Sequence, residues 1–299
     1  MSWVARAGIY CGGALYRDPA VIDDLHRSGF TTVTAWPVRL DPAGDLVFDD
    51  VPIVAGGRWV GDVSWPSRLQ ALKEGGSVDR LLFSVGSGES SDFTCIHDLM
   101  AQHGTGPSSP LQRSFAALKE AIPAIDAIDF DNEDHLDVET NLAFGRMLVD
   151  LGWPLTFCPY RDREVWLDSL AALWNWRPGC VAGINLQCYS GGLGNDPGGW
   201  LSAVARRDLP GLDLGGFIQP GLWCVHGSSC SEAEDSRCPE AVREQMAAWA
   251  GSCGIRGGWV FLLEHLLACA GSGACTGGPL SLEAYARAIR SGIERPLRS

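Results

Sequence analysis

The 299-residue sequence predicts an α/β fold, a (β/α)8 TIM barrel with a β-hairpin insertion after the second strand. Three observations predict it. β-rich runs alternate with helical stretches from end to end, the mark of parallel βαβ units. Eight such runs can be counted, the number that closes a barrel. The glycine fingerprint of an open, dinucleotide-binding sheet is missing: YCGGALY follows the first run but is not GxGxxG.

The first strand is ARAGIYC, residues 5–11. DPAVIDDLHRSGF follows as a helix, with Asp18 as N-cap and Pro19 in the first turn. TTVTAWPV (31–38) is the second strand. Residues 45–60, DLVFDDVPIVAGGRWV, predict the inserted hairpin with AGG at its turn. RLLFSVG (80–86) and AIDAIDFDNE (124–133) are the third and fourth strands. Phe144, Met147, Leu148 and Leu151 then recur at i, i+3, i+4, i+7, one apolar helical stripe. After the fifth strand, PLTFCPY (154–160), Trp166, Leu170, Leu173 and Trp174 form a second stripe. CVAGINLQCY (180–189), LGGFIQPGLW (214–223) and GGWVFLLE (257–264) complete the eight. SLEAYARAIRSGI closes the chain as a Ser-capped helix. No linker, repeat or low-complexity tract interrupts the series, so residues 1–299 are expected to form a single domain.

With 46% hydrophobic and 20% charged residues the chain is an ordinary globule, not a disordered one. A formal charge of −13 disfavours nucleic acid and anionic membrane as partners. No apolar run reaches the roughly 18 residues of a membrane span. MSWVARAGIY has no apolar h-region or small-residue cleavage site, so no signal peptide is visible. The expected location is extracellular, as a secreted mature domain, with the cytoplasm as alternative. Of the 11 cysteines, Cys11, Cys158, Cys188, Cys224 and Cys253 lie in or near apolar segments and read as buried thiols. CSEAEDSRC (Cys230, Cys238) and CAGSGAC (Cys269, Cys275) could each close a short disulfide loop in an oxidising compartment. Neither CxxC nor paired-His spacing accompanies them, so no metal is expected.

The stretch AIDAIDFDNED packs five acids into eleven residues. At strand period 2, Asp129, Asp131 and Glu133 share one face, while Ile128, Phe130 and Asn132 share the other. In a barrel the apolar pair faces the helices. The acids then climb the barrel axis, and Glu133 ends at the C-terminal rim where barrel enzymes place their chemistry. Carboxylates at this spacing cannot both ionise cheaply, so one pKa rises and a proton is shared. That keeps Glu133 protonated and able to act as a general acid. A salt-bridge cluster is the bland alternative, but no Lys or Arg occurs between Lys119 and Arg146. A metal-binding carboxylate cluster is another alternative.

Asp126-x-x-Asp129-x-Asp131-x-Glu133 resembles the DxxDxDxE signature of glycoside hydrolase family 18, the chitinases and endo-β-N-acetylglucosaminidases. It falls on the fourth strand, as in the family. Ser84, Gly86 and Gly88 resemble the family's S-x-G-G strand end, with Ser87 where the second glycine usually stands. Gln187 and Tyr189 resemble its Q-x-Y strand, and Gly257–Gly258 open the last strand as in the family.

The resemblance implies a retaining hydrolase of β-1,4-linked N-acetylglucosamine in which the substrate's own acetamido oxygen attacks the anomeric carbon. Glu133 would be the general acid/base. Asp131 would stabilise the oxazolinium intermediate, Asp129 would share a proton with Asp131, and Tyr189 would hold the acetamido carbonyl. Gln187, Ser84, Trp223 and Tyr10 would contact the substrate, and Asp126 would be structural. The partner would be an N-acetylglucosamine-containing oligo- or polysaccharide. No cofactor, nucleic acid or membrane is expected, and the chain should be a monomer.

Two departures stand out. Ala127 replaces the usual glycine after the first Asp. The family's last-strand Trp, counted from the glycine pair, falls on Leu262. That substitution favours the alternative of a catalytically weak or inactive glycan-binding barrel, with Trp223 as a substitute platform. Among the 12 tryptophans, Trp36, Trp59, Trp65, Trp200 and Trp223 fall in or near loops, where they could stack on sugars or fill core. Glu264 and His265 are expected to begin a solvated helix or loop, with lining of the rim as the other possibility. His97 and His226 read as ordinary polar loop residues.

Overall fold

The computed structural model describes residues 7–88, 90–227, 230–233, 235–273, 275 and 280–294. Eight parallel strands close into a barrel: β1 (Gly8–Cys11), β2 (Thr32–Leu40), β3 (Arg80–Val85), β4 (Ala127–Phe130), β5 (Leu155–Phe157), β6 (Val181–Gln187), β7 (Ile218–Cys224) and β8 (Trp259–Phe261). Each pairs with its sequence neighbours, and β1 pairs with both β2 and β8, so no edge is left open. Helices cover the outside, and the core lies between them and the strands.

Alternation along the strands decides what faces where. On β4, Ile128 and Phe130 are fully buried against the helices. The Phe130 ring packs on Phe93, Phe144 and Phe157 at 5.5, 5.1 and 5.8 Å between centroids. Asp129, between them, therefore points into the barrel. The helical stripes behave in the same way: Phe144, Met147, Leu148, Trp166, Leu170, Leu173 and Trp174 are all buried. Asp18 accepts a hydrogen bond from the Ala20 amide and caps the Pro19–Arg27 helix, and Ser281 accepts from Ala284 at the last helix.

Residues 46–59 extend β2 as an antiparallel ribbon of three short strands, Leu46–Phe48, Val51–Ala55 and Arg58–Trp59. AGG makes its second turn. Its first is the Asp49–Asp50 pair, which adopts the positive φ that two-residue hairpin turns demand. Several strands are shorter than the sequence predicts. Leu214–Phe217 is a helical turn leading into β7, and Leu263–Ala268 is a helix that begins directly after β8. A ladder ends where the neighbouring strand offers no partner, which residue alternation does not encode.

The disulfide expectation is corrected in its partners. Cys230 joins Cys269 and Cys238 joins Cys275. The loop after β7 and the segment after the β8 helix lie side by side, so the bonds cross between them and do not close each loop on itself. Cys11, Cys158, Cys188 and Cys224 are buried free thiols, as expected, whereas Cys253 is partly exposed. The crossing bonds span 39 and 37 residues, for which the chain-entropy treatment predicts about 4 kcal/mol each. Differential scanning calorimetry with and without reductant should therefore show a fall in Tm of about 5 °C or more on reduction. An unchanged Tm would mean the bonds add nothing.

Among the described residues, no helix is long and apolar enough to cross a membrane.

Candidate active site

The β3–β4–β5 register sets Ser84, Asp129 and Thr156 in one layer across three adjacent strands. Asp129 has no exposed surface and accepts four side-chain hydrogen bonds. Tyr10 (2.9 Å) and Ser84 (2.7 Å) donate to Oδ2, and Thr156 (2.5 Å) and Asn185 (2.9 Å) donate to Oδ1. Burial pushes its carboxyl up, and the four donors pull it part of the way back. Asp126, with the opposite parity, is ion-paired to Lys73 at 2.6 Å and accepts the Leu81 amide, a structural tie at the strand's start.

One step up the axis, Asp131 accepts from the indole N–H of Trp36 (2.8 Å) and from Gln187 Nε2 (3.0 Å). Gln187 Nε2 also reaches Glu133 Oε1 at 3.1 Å and the Cys158 carbonyl at 3.1 Å. Asp131 and Glu133 are in direct hydrogen-bond contact. Burial, then the charges of Glu133 and Asp129, hold Asp131 well above the usual carboxylate range, and burial also raises Glu133. The acid that burial and charge set against Glu133 is therefore Asp131, while Asp129, expected to share a proton with Asp131, takes four neutral donors. Among the described residues none of the three acids forms a salt bridge. Arg161 contacts Glu133 only through the backbone carbonyl, at 3.4 Å.

The backbone makes room for these acids. Gly86 has φ of 97° and passes against the Asp131 carbonyl, while a Cβ on Gly88 would sit 2.8 Å from Glu133 Oε2. The Ser–Gly pattern at the end of β3 thus serves close approach, and Ser87 does not obstruct it.

An aromatic wall stands opposite. Tyr189 is buried, its ring stacked on Phe261 (5.6 Å, 18°) and tilted against Trp223 (5.4 Å). Its hydroxyl bonds to no protein group among the described residues. Burial holds the phenol far above its normal range, so it remains a donor. Phe261 also meets Trp36 edge-on at 4.8 Å and Trp223 at 5.7 Å. Trp223 donates its indole N–H to His265 Nδ1 at 2.8 Å and stacks on His226 at 4.3 Å and 10°. Burial and the neighbouring His226 push His265 down, consistent with a neutral ring that accepts.

Several expectations change. The aromatic at the end of the last strand is Phe261, not a missing residue at 262. Trp259 and Phe261 share the inward parity, and Leu262, beyond a cis peptide bond, caps the following helix and packs in the same inner cluster as Tyr10, Tyr189 and Trp259. Ser84 and Tyr10, expected to contact the substrate, are buried with their hydroxyls donated to Asp129, so they position that acid. Trp223 has one face covered by His226. Trp65 and Trp200 are core, Trp59 is half-buried against Trp65, and Trp36 lies on β2, inside the predicted second strand, with its indole on Asp131. Glu264 accepts the Gly12 and Ala14 amides at 2.9 and 3.0 Å and so ties β8 to β1. His97 lies on the Asp92–His103 helix beside His135.

Sequence reading missed Thr156 and Asn185. Asn185 had a signal: it shares inward parity with Gln187, two residues on. Removing one of these ties has a readable outcome. Tyr10→Phe should cost about 1–2 kcal/mol, raise the Asp129 pKa further and leave ligand affinity unchanged. Chemical denaturation beside a binding isotherm checks this. A weakened isotherm at unchanged stability would restore Tyr10 as a ligand contact.

Chemically, the constellation combines a half-buried carboxylic acid at the rim, a second carboxyl bonded to it, an unpaired phenol and an aromatic wall. Asp129 is too fully occupied by donors to ligate a metal.

Solved structures similar to this chain include family 18 chitinases. A GH18 chitinase from Pseudoalteromonas aurantia matches at TM-score 0.65 and 12% identity, over 96% of this chain and 99% of that chain. The catalytic domain of a hyperthermophilic chitinase from Pyrococcus furiosus matches at 0.62 and 11%, over 98% and 96%. A chitinase from Bacteroides thetaiotaomicron matches at 0.61 and 14%, over 97% of each chain. At this identity the likeness shows the fold, a chitinase-type barrel along nearly the whole chain. No family model matches the sequence, and no curated protein matches it.

Proposed function

We propose that the barrel is a retaining, substrate-assisted hydrolase of β-1,4-linked N-acetylglucosamine glycans, with Glu133 as general acid/base. The observation that carries this reading is the Asp131–Glu133 pair. Two carboxyls in contact, both raised by burial, hold a proton at the rim under an aromatic wall. The chitinase-type fold supports it.

In the first step Glu133 gives its proton to the glycosidic oxygen, and the C1–O bond breaks. The acetamido carbonyl oxygen of the same sugar closes onto C1 from the opposite face and forms an oxazolinium ion. Asp131 accepts from the acetamido N–H and carries the balancing negative charge. Tyr189 donates to the acetamido oxygen and orients its attack. Glu133, now a carboxylate, takes a proton from water as that water adds to C1, so configuration is retained. Gln187 holds Asp131 and Glu133 at fixed separation throughout, and Phe261 offers the ring face beneath the sugar. Preorganised charge of this kind is usually the largest catalytic term.

The proposed substrate is an N-acetylglucosamine-containing glycan handled by a monomer without cofactor. The two disulfides favour work outside the cell.

The test is fluorophore release from a β-linked N-acetylglucosamine di- or trisaccharide, with NMR of the first-formed anomer. Release of the β-anomer is the expected result. Binding of the oligosaccharide without turnover would assign a lectin-like barrel instead. Neither binding nor turnover would sink the glycan reading.

A further inference from the structure

We propose that His97, His135 and Asp137 form a binding site for a divalent transition-metal ion of the zinc class, on the loop that carries the acids. The three side chains come from two elements: His97 from the Asp92–His103 helix, and His135 and Asp137 from the loop after β4. Their ligating atoms all lie within 4.8 Å of one another, and the two imidazole rings are 4.5 Å apart. A metal with about 2.0–2.1 Å bonds to nitrogen would draw them together by rotation of partly exposed side chains.

The surroundings are organised as metal sites are. Buried Thr140 orients two of the three ligands: its hydroxyl is 3.1 Å from His97 Nδ1, and its amide donates to Asp137 Oδ2 at 2.7 Å. In the tautomer where Nδ1–H donates to Thr140, His97 presents the Nε2 lone pair outward, while Asp137, the N-cap of the Val138–Asp150 helix, is held as a carboxylate by Thr140 and the Glu139 amide. The third ligand is held through its backbone. Buried Asn132 accepts the His135 amide at 3.1 Å and donates to its carbonyl at 2.7 Å, while also bonding Asn141. Two imidazoles and one carboxylate select zinc, nickel, cobalt or copper over magnesium and calcium. Three protein ligands leave a fourth position for water, the arrangement of an open zinc site.

The position gives the ion a consequence. Glu133 lies two residues before His135, and Asp134 already accepts the Phe93 and Thr94 amides at the start of the same helix. A bound metal adds a second tie one turn further along and restrains the backbone that aims Glu133. The site does not depend on the hydrolase reading, and its test does not use turnover.

Isothermal titration of the full chain with zinc chloride in a non-coordinating buffer should show one site. His97→Ala and, from the other element, His135→Ala should each weaken it at least roughly tenfold. Magnesium in excess should not displace the ion. Cobalt in place of zinc should give visible d–d bands without a thiolate charge-transfer band. Three results would overturn the proposal: no zinc uptake by the wild type, uptake undiminished in both variants, or a thiolate band showing that the free cysteines hold the ion.

Discussion

Glu133→Gln cuts kcat on a β-linked N-acetylglucosamine oligomer by about 10²–10⁴-fold and leaves KM within a few-fold. The amide has the shape of the acid and can still accept from Gln187 through its oxygen, so the sugar's seat is kept. What is lost is the proton for the leaving oxygen. The deficit should shrink on a substrate whose leaving group needs no protonation, because only the departure step relied on that proton. Wild-type activity should fall as pH rises through the upper ionisation of the Asp131–Glu133 pair, above the ordinary carboxylate range, since burial and mutual repulsion both favour the protonated form. Steady-state kinetics of wild type and variant on both substrates checks this. Equal losses on both substrates, or no loss at all, would remove Glu133 from the acid's role.

Asp131→Asn makes the protein more stable at neutral and alkaline pH while abolishing most turnover. Asp131 is buried with Glu133 and Asp129 as neighbours, and its pKa lies well above the unfolded value. Between the unfolded pKa and the raised folded one, the native state binds more protons than the unfolded chain. Stability contributed by this group is therefore fully present at acid pH and lost as pH rises through the folded pKa. The asparagine carries no such penalty and can keep an acceptor for the Trp36 indole. The Tm difference, variant minus wild type, should thus grow with pH, reaching on the order of 3 °C or more. Melting curves across the acid-to-alkaline range measure it. A difference that is flat or shrinks with pH would mean the surroundings do not raise the Asp131 carboxyl.

The acidic strand was legible because an extended backbone turns alternate side chains to opposite faces. That placed Asp129, Asp131 and Glu133 together and set Ile128 and Phe130 against the helices. The same rule, applied from the wrong starting residue, misplaced the rim aromatic at Leu262. Inward parity from Trp259 leads to Phe261. Tyr10 and Ser84 were assigned to the substrate because parity says inward but not how deep. Depth comes from the stagger of neighbouring strands, and it sets both hydroxyls on Asp129. The cysteine pairs failed for a related reason. Short spacing favours local closure only when no nearer thiol exists, and two adjacent loops supplied one.

Taken by itself, the amino-acid order determined the eight-strand barrel, the face on which the acids lie and the residue types available at the rim. Those follow from local periodicity, which each segment carries within itself. Tertiary structure alone decided which acids press on one another, who donates to Asp129, and that His97 meets His135 and Asp137. Such pairings join residues far apart along the chain, and their distances are set by strand stagger and helix packing that no single segment encodes.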